Sequence, residues 1–186
     1  MRGESKRNVL DKFCIDFCEI VEKFTKYIIV SGFVAISSGR ARATEDIDMI
    51  IPKISKDIFI KMHNDLIKND FVCMQSDDPT EIYKDYLKND TSVRYTYKNR
   101  PLPEMEIKLS KDELDDYQLT TRVKLKLTGL DVWFSSIDMN IAFKEEYLKS
   151  PKDLEDAKHL RDVYSDLIDE EEIKKIKKMI REKRLK

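Results

Sequence analysis

Glycine and proline are scarce in this chain, four and five among 186 residues, while 41% of the residues are hydrophobic. That argues against a disordered or low-complexity polypeptide and for a chain long enough to bury a core. An excess of charge of one sign is also missing. Lys and Arg number 35 against 36 Asp and Glu, a formal net charge of -1, so no global basic field marks the protein for nucleic acid or membrane, and any polyanion site has to be local. No stretch approaches the roughly 18 apolar residues of a spanning helix. The N-terminus also lacks a signal-peptide apolar region, so the expectation is a soluble cytoplasmic protein with no membrane partner.

Only two histidines are present, and neither a nucleophile-elbow glycine pattern nor a P-loop occurs, which leaves little for a nucleophilic hydrolase to work with. His63 and His159 fall in helical patterns without a second ligand at metal spacing and read as structural. The three cysteines are an odd number. Cys14 and Cys18 share one helical face but lack two further zinc ligands, so with Cys73 they read as small buried hydrophobes in a reducing interior.

The periodicity predicts an alternation of helices and strands. Leu10, Phe13, Phe17, Ile20, Val21 and Phe24 mark an amphipathic helix from about Lys6 to Lys26. "YIIVSG" (Tyr27 to Gly32) is a strand, "FVAIS" a brief helix ending near Gly39, and "IDMIIP" a second strand closed by Pro52. Ser55 caps a helix carrying Ile58, Phe59, Met62, Leu66 and Ile67. "FVCM" is a third strand, "PTEIYKDYLKN" a short helix or loop, and "SVRYTYKN" with "EMEIKL" a hairpin across "RPLP". "SKDELDDYQLTT" reads as a short helix or polar loop, and "RVKLKLTGLDVWF" as two strand-like runs broken at Gly129. From Ser136 onward the pattern is helical, with Pro151 in the first turn of one helix and Asp169 to Glu172 opening the last. The Ile173, Ile176 and Ile180 stripe makes that last helix a packed or frayed terminal helix rather than an RNA-binding tail.

The chemistry concentrates in "VSGFVAISSGRARATEDIDMIIP" (Val30 to Pro52). In a strand, residues two apart face the same side, so Asp46 and Asp48 project their carboxylates together. Such a pair is tolerable with a proton, a basic neighbour or a divalent cation, and an oxygen-only donor set suits magnesium. Spacing alone says little: 36 acids in 186 positions give about seven such pairs by chance.

Context gives the pair its meaning. A strand ending in Ser31-Gly32, a short helix, a "GRARATE" turn and then "DID" entering a second strand resembles the nucleotidyltransferase superfamily built on the DNA polymerase beta-like core. Among its members the likeness is to the small prokaryotic proteins related to abortive-infection toxin nucleotidyltransferases. There a strand ends in Gly-Gly or Gly-Ser, a short helix follows, and the acidic pair comes about a dozen residues later; here 13 residues, Phe33 to Glu45, separate Gly32 from Asp46. "EMEIKL" resembles the later strand carrying the third acid, Glu106 with Glu104 as the alternative. "IAFKEEYLKSPKDLEDAKHLRDVY" resembles the helical segment in which a lysine, Lys144, precedes Lys152, Asp153 and Asp156. Two departures stand out: Ser31 replaces the first glycine, and a glutamate replaces the usual third aspartate.

The resemblance implies an α+β fold with a mixed sheet. Residues 1–135 would form a nucleotidyltransferase-like catalytic core with the N-terminal helix, and residues 136–186 a C-terminal helical segment packed on it, the two as one compact unit. It implies a magnesium-dependent nucleotidyltransferase, with manganese as the alternative ion. Asp46, Asp48 and Glu106 would be catalytic and metal-binding, and Ser31, Gly32, Arg42 and Lys144 would face the phosphates of a nucleoside triphosphate such as ATP or GTP. The acceptor hydroxyl could belong to RNA, a protein or a small molecule, and a protein partner or homodimer is compatible. The alternative is a non-catalytic nucleotide- or RNA-binding module, or a toxin-antitoxin partner protein, of the same fold. Each residue also has a plainer reading: Arg40 and Arg42 paired with Glu45 and other surface acids, Lys144 solvated, and Asp153 and Asp156 charging the first turn after Pro151.

Overall fold

The structure, a computed structural model, describes residues 8–44 and 46–186. Asn8 opens the first helix, its side chain accepting from the backbone N–H of Asp11, and α1 runs Val9–Glu22. The helix is shorter than the Lys6 to Lys26 expectation: Lys23 caps its C-terminus, and Lys6 and Arg7 lie outside the described residues. Then follow β1 (Ile28–Val30), α2 (Gly32–Ser37), β2 (Asp46–Ile51), α3 (Lys56–Lys68) and β3 (Phe71–Cys73). A short α4 (Pro79–Glu81) continues through a π-helical turn (Ile82–Tyr86) and a 3-10 turn (Leu87–Asn89) into β4 (Val93–Tyr97). The turn to β5 (Glu104–Leu109) contains a cis Leu102-Pro103 bond. Last come α5 (Glu113–Thr120), α6 (Ile137–Phe143) with a π-helical turn at Lys144–Leu148, α7 (Pro151–Val163) and α8 (Glu170–Arg184).

The strands make one mixed sheet in the order β1-β2-β5-β4-β3. β2 and β5 are parallel at its centre, and the other pairings are antiparallel. This is the α+β mixed-sheet architecture expected. The alternation of β2 and β5 explains why the sheet has two unlike faces. Ile47, Met49 and Ile51 with Met105, Ile107 and Leu109 join the main core, which α1 and α3 cover: Phe17 lies 5.6 Å from the Tyr95 ring, and His63 Nδ1 is 2.8 Å from the Tyr95 hydroxyl. Each fully buried aromatic or branched side chain there contributes about 1.5–3 kcal/mol. Cys14, Cys18 and Cys73 are buried and unpaired, as small hydrophobes would be.

The opposite face carries Asp46, Asp48 and Ile50 on β2, Glu104, Glu106 and Lys108 on β5, and Arg94 on β4. It is only partly covered; α5 reaches it through Leu119, which packs with Ile28, Val30 and Ile50.

One expectation fails. The strand-like runs of "RVKLKLTGLDVWF" form no strands. Thr128 accepts from Leu130 N–H and donates to Leu125 C=O around a 3-10 turn (Lys126–Thr128), and Gly129 adopts φ 68. The chain is thereby folded back, and only single bridges at Val123↔Phe134 and Ile29↔Phe134 touch the sheet edge. Among the described residues no helix is long and apolar enough to cross a membrane.

Candidate functional site

Sheet register assembles the acids. β1 pairs Val30 with Asp48, the parallel β2 and β5 pairing sets Asp46 beside Glu104 and Asp48 beside Glu106, and β4 sets Arg94 beside Glu106. One row across the sheet therefore reads Val30, Asp48, Glu106, Arg94. Residues separated by more than fifty positions become lateral neighbours, which no local pattern could show.

Asp48 bears the consequence. Burial pushes its carboxyl above the ordinary range, and Glu106 and, more weakly, Asp46 push the same way; Lys108 and a hydrogen bond from Ser31 oppose them. Glu106 is not idle: its Oε1 accepts from the Ser92 hydroxyl at 2.7 Å and its Oε2 from Arg94 Nη2 at 3.3 Å. Glu104, the alternative third acid, lies 3.6 Å from Arg94 Nε. Among the described residues no three His, Cys, Asp or Glu side chains gather closely enough to hold a metal on their own.

Ser31 ends β1 and caps α2 at φ 67, ψ -137, a conformation that favours glycine. Gly32 follows at the start of α2, and the Arg42 guanidinium lies against it: a Cβ there would come within 2.9 Å of Arg42 Nη2. The Ser31-Gly32 turn thus stands beside Asp48 on one side and Arg42 on the other.

Arg42 and Lys144 converge on a single carboxylate. Ser150 and Asp153 form a reciprocal cap at the start of α7, and one turn later Asp156 points inward with none of its surface exposed. Asp156 Oδ1 accepts from Arg40 Nε at 2.6 Å, and its Oδ2 from Arg42 Nη1 and from Lys144 Nζ at 3.0 Å. Arg40 also meets Glu155 at 2.5 Å. Burial by itself would raise the Asp156 carboxyl, but Lys144 first, then Arg40 and Arg42, hold it below the usual carboxylate range. Arg42 Nε is buried with no hydrogen-bond partner among the described residues. So Asp153 completes the Ser150 cap, 3.8 Å from Lys144 Nζ, whereas Asp156 is the hub of a cationic cluster. Lys152 at the second position of α7 is exposed.

A cavity of about 160 Å³ lies between the acid-bearing face and α5, α6 and the following π-helical turn, lined among others by Ser31, Asp48, Lys108, Lys144, Phe143 and Tyr147. A larger, more open depression of about 540 Å³ sits between the start of α1 and the β4–β5 turn, lined by Lys12, Asp16, Tyr97 and Arg100; none of the acids in the row reaches it. Ser31, Asp48 and Lys144, nominated from sequence, share the smaller cavity. Lys108, Ser92 and Arg94 were not nominated. Lys108 was within reach of strand alternation, being two residues past Glu106, whereas Ser92 and Arg94 depend on the hairpin register.

No family model and no curated protein matches the chain. Solved structures do. An antigenic nucleotidyltransferase-like protein from Paracoccidioides brasiliensis aligns over 95% of this chain and 88% of its own, with TM-score 0.54 and 18% identity. The antibiotic-resistance factor ANT(2'')-Ia aligns over 92% of this chain and 93% of its own, with TM-score 0.52 and 13% identity. The chain has the nucleotidyltransferase fold.

Proposed function

We propose that this chain is a metal-dependent nucleotidyltransferase that moves a nucleoside monophosphate from a nucleoside triphosphate to an acceptor hydroxyl. The observation that carries the reading is the row itself: Asp48 and Glu106 lie side by side on the open face of the sheet, with Asp46 two register pairs along on the same face and the Ser31-Gly32 turn directly following Val30, the partner of Asp48. The donor set fits magnesium or manganese. It is oxygen-only, it sets Asp48 beside Glu106 and Asp46 beside Glu104 on one face, and magnesium takes one or two carboxylates and completes its shell with phosphates and water. Asp46 and Asp48 would hold the ion, with Glu106 added once it leaves Ser92 and Arg94. When bound, such ions stabilise the entering and leaving oxygens of an in-line displacement at phosphorus.

In that reaction the acceptor oxygen bonds to the α-phosphorus, the bond from that phosphorus to the bridging oxygen breaks, and pyrophosphate leaves. Glu106, beside Asp48 in the sheet register, would take the hydroxyl proton. Ser31, Gly32, Arg42 and Lys144 would face the phosphate chain; for Lys144 and Arg42 this means sharing their charge between phosphate and Asp156. RNA, protein and small-molecule hydroxyls are the acceptor classes to screen.

A specific observation favours a second reading. With Glu106 held by Ser92 and Arg94, the chain could bind a nucleotide without turning it over. Calorimetric titration of each nucleoside triphosphate, with and without magnesium, into the wild type and the Asp46→Asn, Asp48→Asn double variant tests the site. Magnesium-dependent binding lost in the double variant is expected; absence of binding by the wild type would overturn the reading. Binding with no pyrophosphate release on any acceptor would favour the second.

A further inference from the structure

We propose that Lys108 is a phosphate-binding residue of this site, its ammonium taking charge from the nucleotide's triphosphate. This rests on the nucleotide reading above and deepens it.

Among the described residues three cations line the cavity: Lys108, Lys144 and Arg184. Two are already engaged. Lys144 is 1% exposed and donates to Asp156 at 3.0 Å. Arg184 donates to Asp112 at 2.6 Å and to Asp115 at 2.8 Å. A phosphate that recruits either one has to draw it from a carboxylate. Arg42, outside the lining, is likewise bonded to Asp156.

Lys108 differs from both. Among the described residues its ammonium makes no ion pair and no hydrogen bond, and its residue is exposed. It stands in register with Ile50, two pairs beyond Asp48 and Glu106 and so on the same face. Its register partner Ile50 is apolar and belongs to a patch with Ile28, Val30 and Leu119, and Asp115, an acid lining the same cavity, is already bonded to Arg184. An ammonium offers three donors and a full charge with no acceptor to satisfy. Free, and lining the same cavity as Asp48 and Ser31, it can form the short charge-assisted bonds that phosphate oxygens favour. The plain alternative is that Lys108 only offsets the charge of Asp48, and phosphate-chain length separates the two.

The experiment titrates Lys108→Met, Lys108→Arg, the wild type and the Asp46→Asn, Asp48→Asn variant, in magnesium, with each of the four ribonucleoside triphosphates and with the matching monophosphate and nucleoside of the tightest binder. Lys108→Met is expected to weaken the triphosphate by about tenfold or more, to weaken the monophosphate less and to leave the nucleoside within about twofold, with Lys108→Arg close to wild type. Unchanged triphosphate binding by Lys108→Met, while the aspartate variant loses it, would overturn the proposal and leave the site reading standing. Equal weakening of triphosphate and nucleoside would overturn it as well, pointing to packing. A wild type that binds no triphosphate would bring down both. Should Lys108→Met lose its cooperative melt, Lys108→Gln takes its place.

Discussion

An ionised carboxylate at position 48 has given up much of its water and stands beside Glu106 and Asp46, so folding works against its charge. The sign follows from linkage. An unfolded aspartate titrates near 3.9, so below roughly pH 4 both states carry the proton and Asp48 is neutral toward stability. As pH rises, the unfolded chain releases its proton first, and stability is lost until the raised folded value has been passed. Asp48→Asn removes this effect. The variant should therefore melt above the wild type at pH 7, with the gain shrinking toward nothing as pH falls to about 4; thermal midpoints across that range check it, and no gain at pH 7 would sink the idea. Asp156 runs the other way. Its carboxyl is held low by Lys144, Arg40 and Arg42, so its contribution is complete above the ordinary aspartate range and is lost as pH falls through the depressed value. The sequence displays Asp153 and Asp156 alike, as acids near the start of one helix. Which of them caps and which turns inward depends on the cations from the Arg40 to Arg42 segment and from Lys144, and those arrive from elsewhere in the chain.

The turn into α2 shows how much of an element its own residues explain. The β-branched run of β1, the short apolar helix and the strand that begins at Asp46 were all legible, because each obeys a local period. The backbone at Ser31, φ 67, was visible only as a departure from a glycine, and the contact at Gly32 was not visible at all, since Arg42 reaches it across a loop. That contact makes a prediction. Gly32→Ala places a methyl 2.9 Å from Arg42 Nη2, and the guanidinium can yield only by disturbing its bond to Asp156. The substitution should cost about 1–3 kcal/mol. In an Arg42→Ala background the same change should be nearly neutral, because the obstruction is gone and alanine is the better helix former. Urea midpoints of the four proteins give the coupling energy, expected to exceed about 1 kcal/mol; strict additivity would show that the contact is slack. The failed strands around Gly129 teach the complementary lesson. "RVKLKL" has the period of a strand, but the 3-10 turn at Lys126–Thr128 ends the run after the single bridge at Val123, and a period-two pattern records which residues alternate, not whether a neighbouring strand is within reach.

At the scale of the molecule, α8 joins parts that are remote in sequence. Ile173, Ile176 and Ile180 are buried, Lys177 meets Glu145 at 2.7 Å, Lys183 meets Glu113 at 2.6 Å, and Arg184 holds Asp112 and Asp115. One helix thus ties α5 to the π-helical turn after α6, and those are the elements that wall the cavity opposite the acids. Three buried isoleucines at about 1.5–3 kcal/mol each amount to a large share of the 5–15 kcal/mol that separates a typical domain from its unfolded state. The exposed ion pairs add little. A chain ending at Ile168 should therefore fail as a whole rather than lose a peripheral arm: it should melt without a cooperative transition and bind the dye ANS through uncovered apolar surface. If instead it melts at the wild-type midpoint, residues 136–186 are not part of one unit with the sheet, and the cavity wall that α8 braces would have to be independently stable.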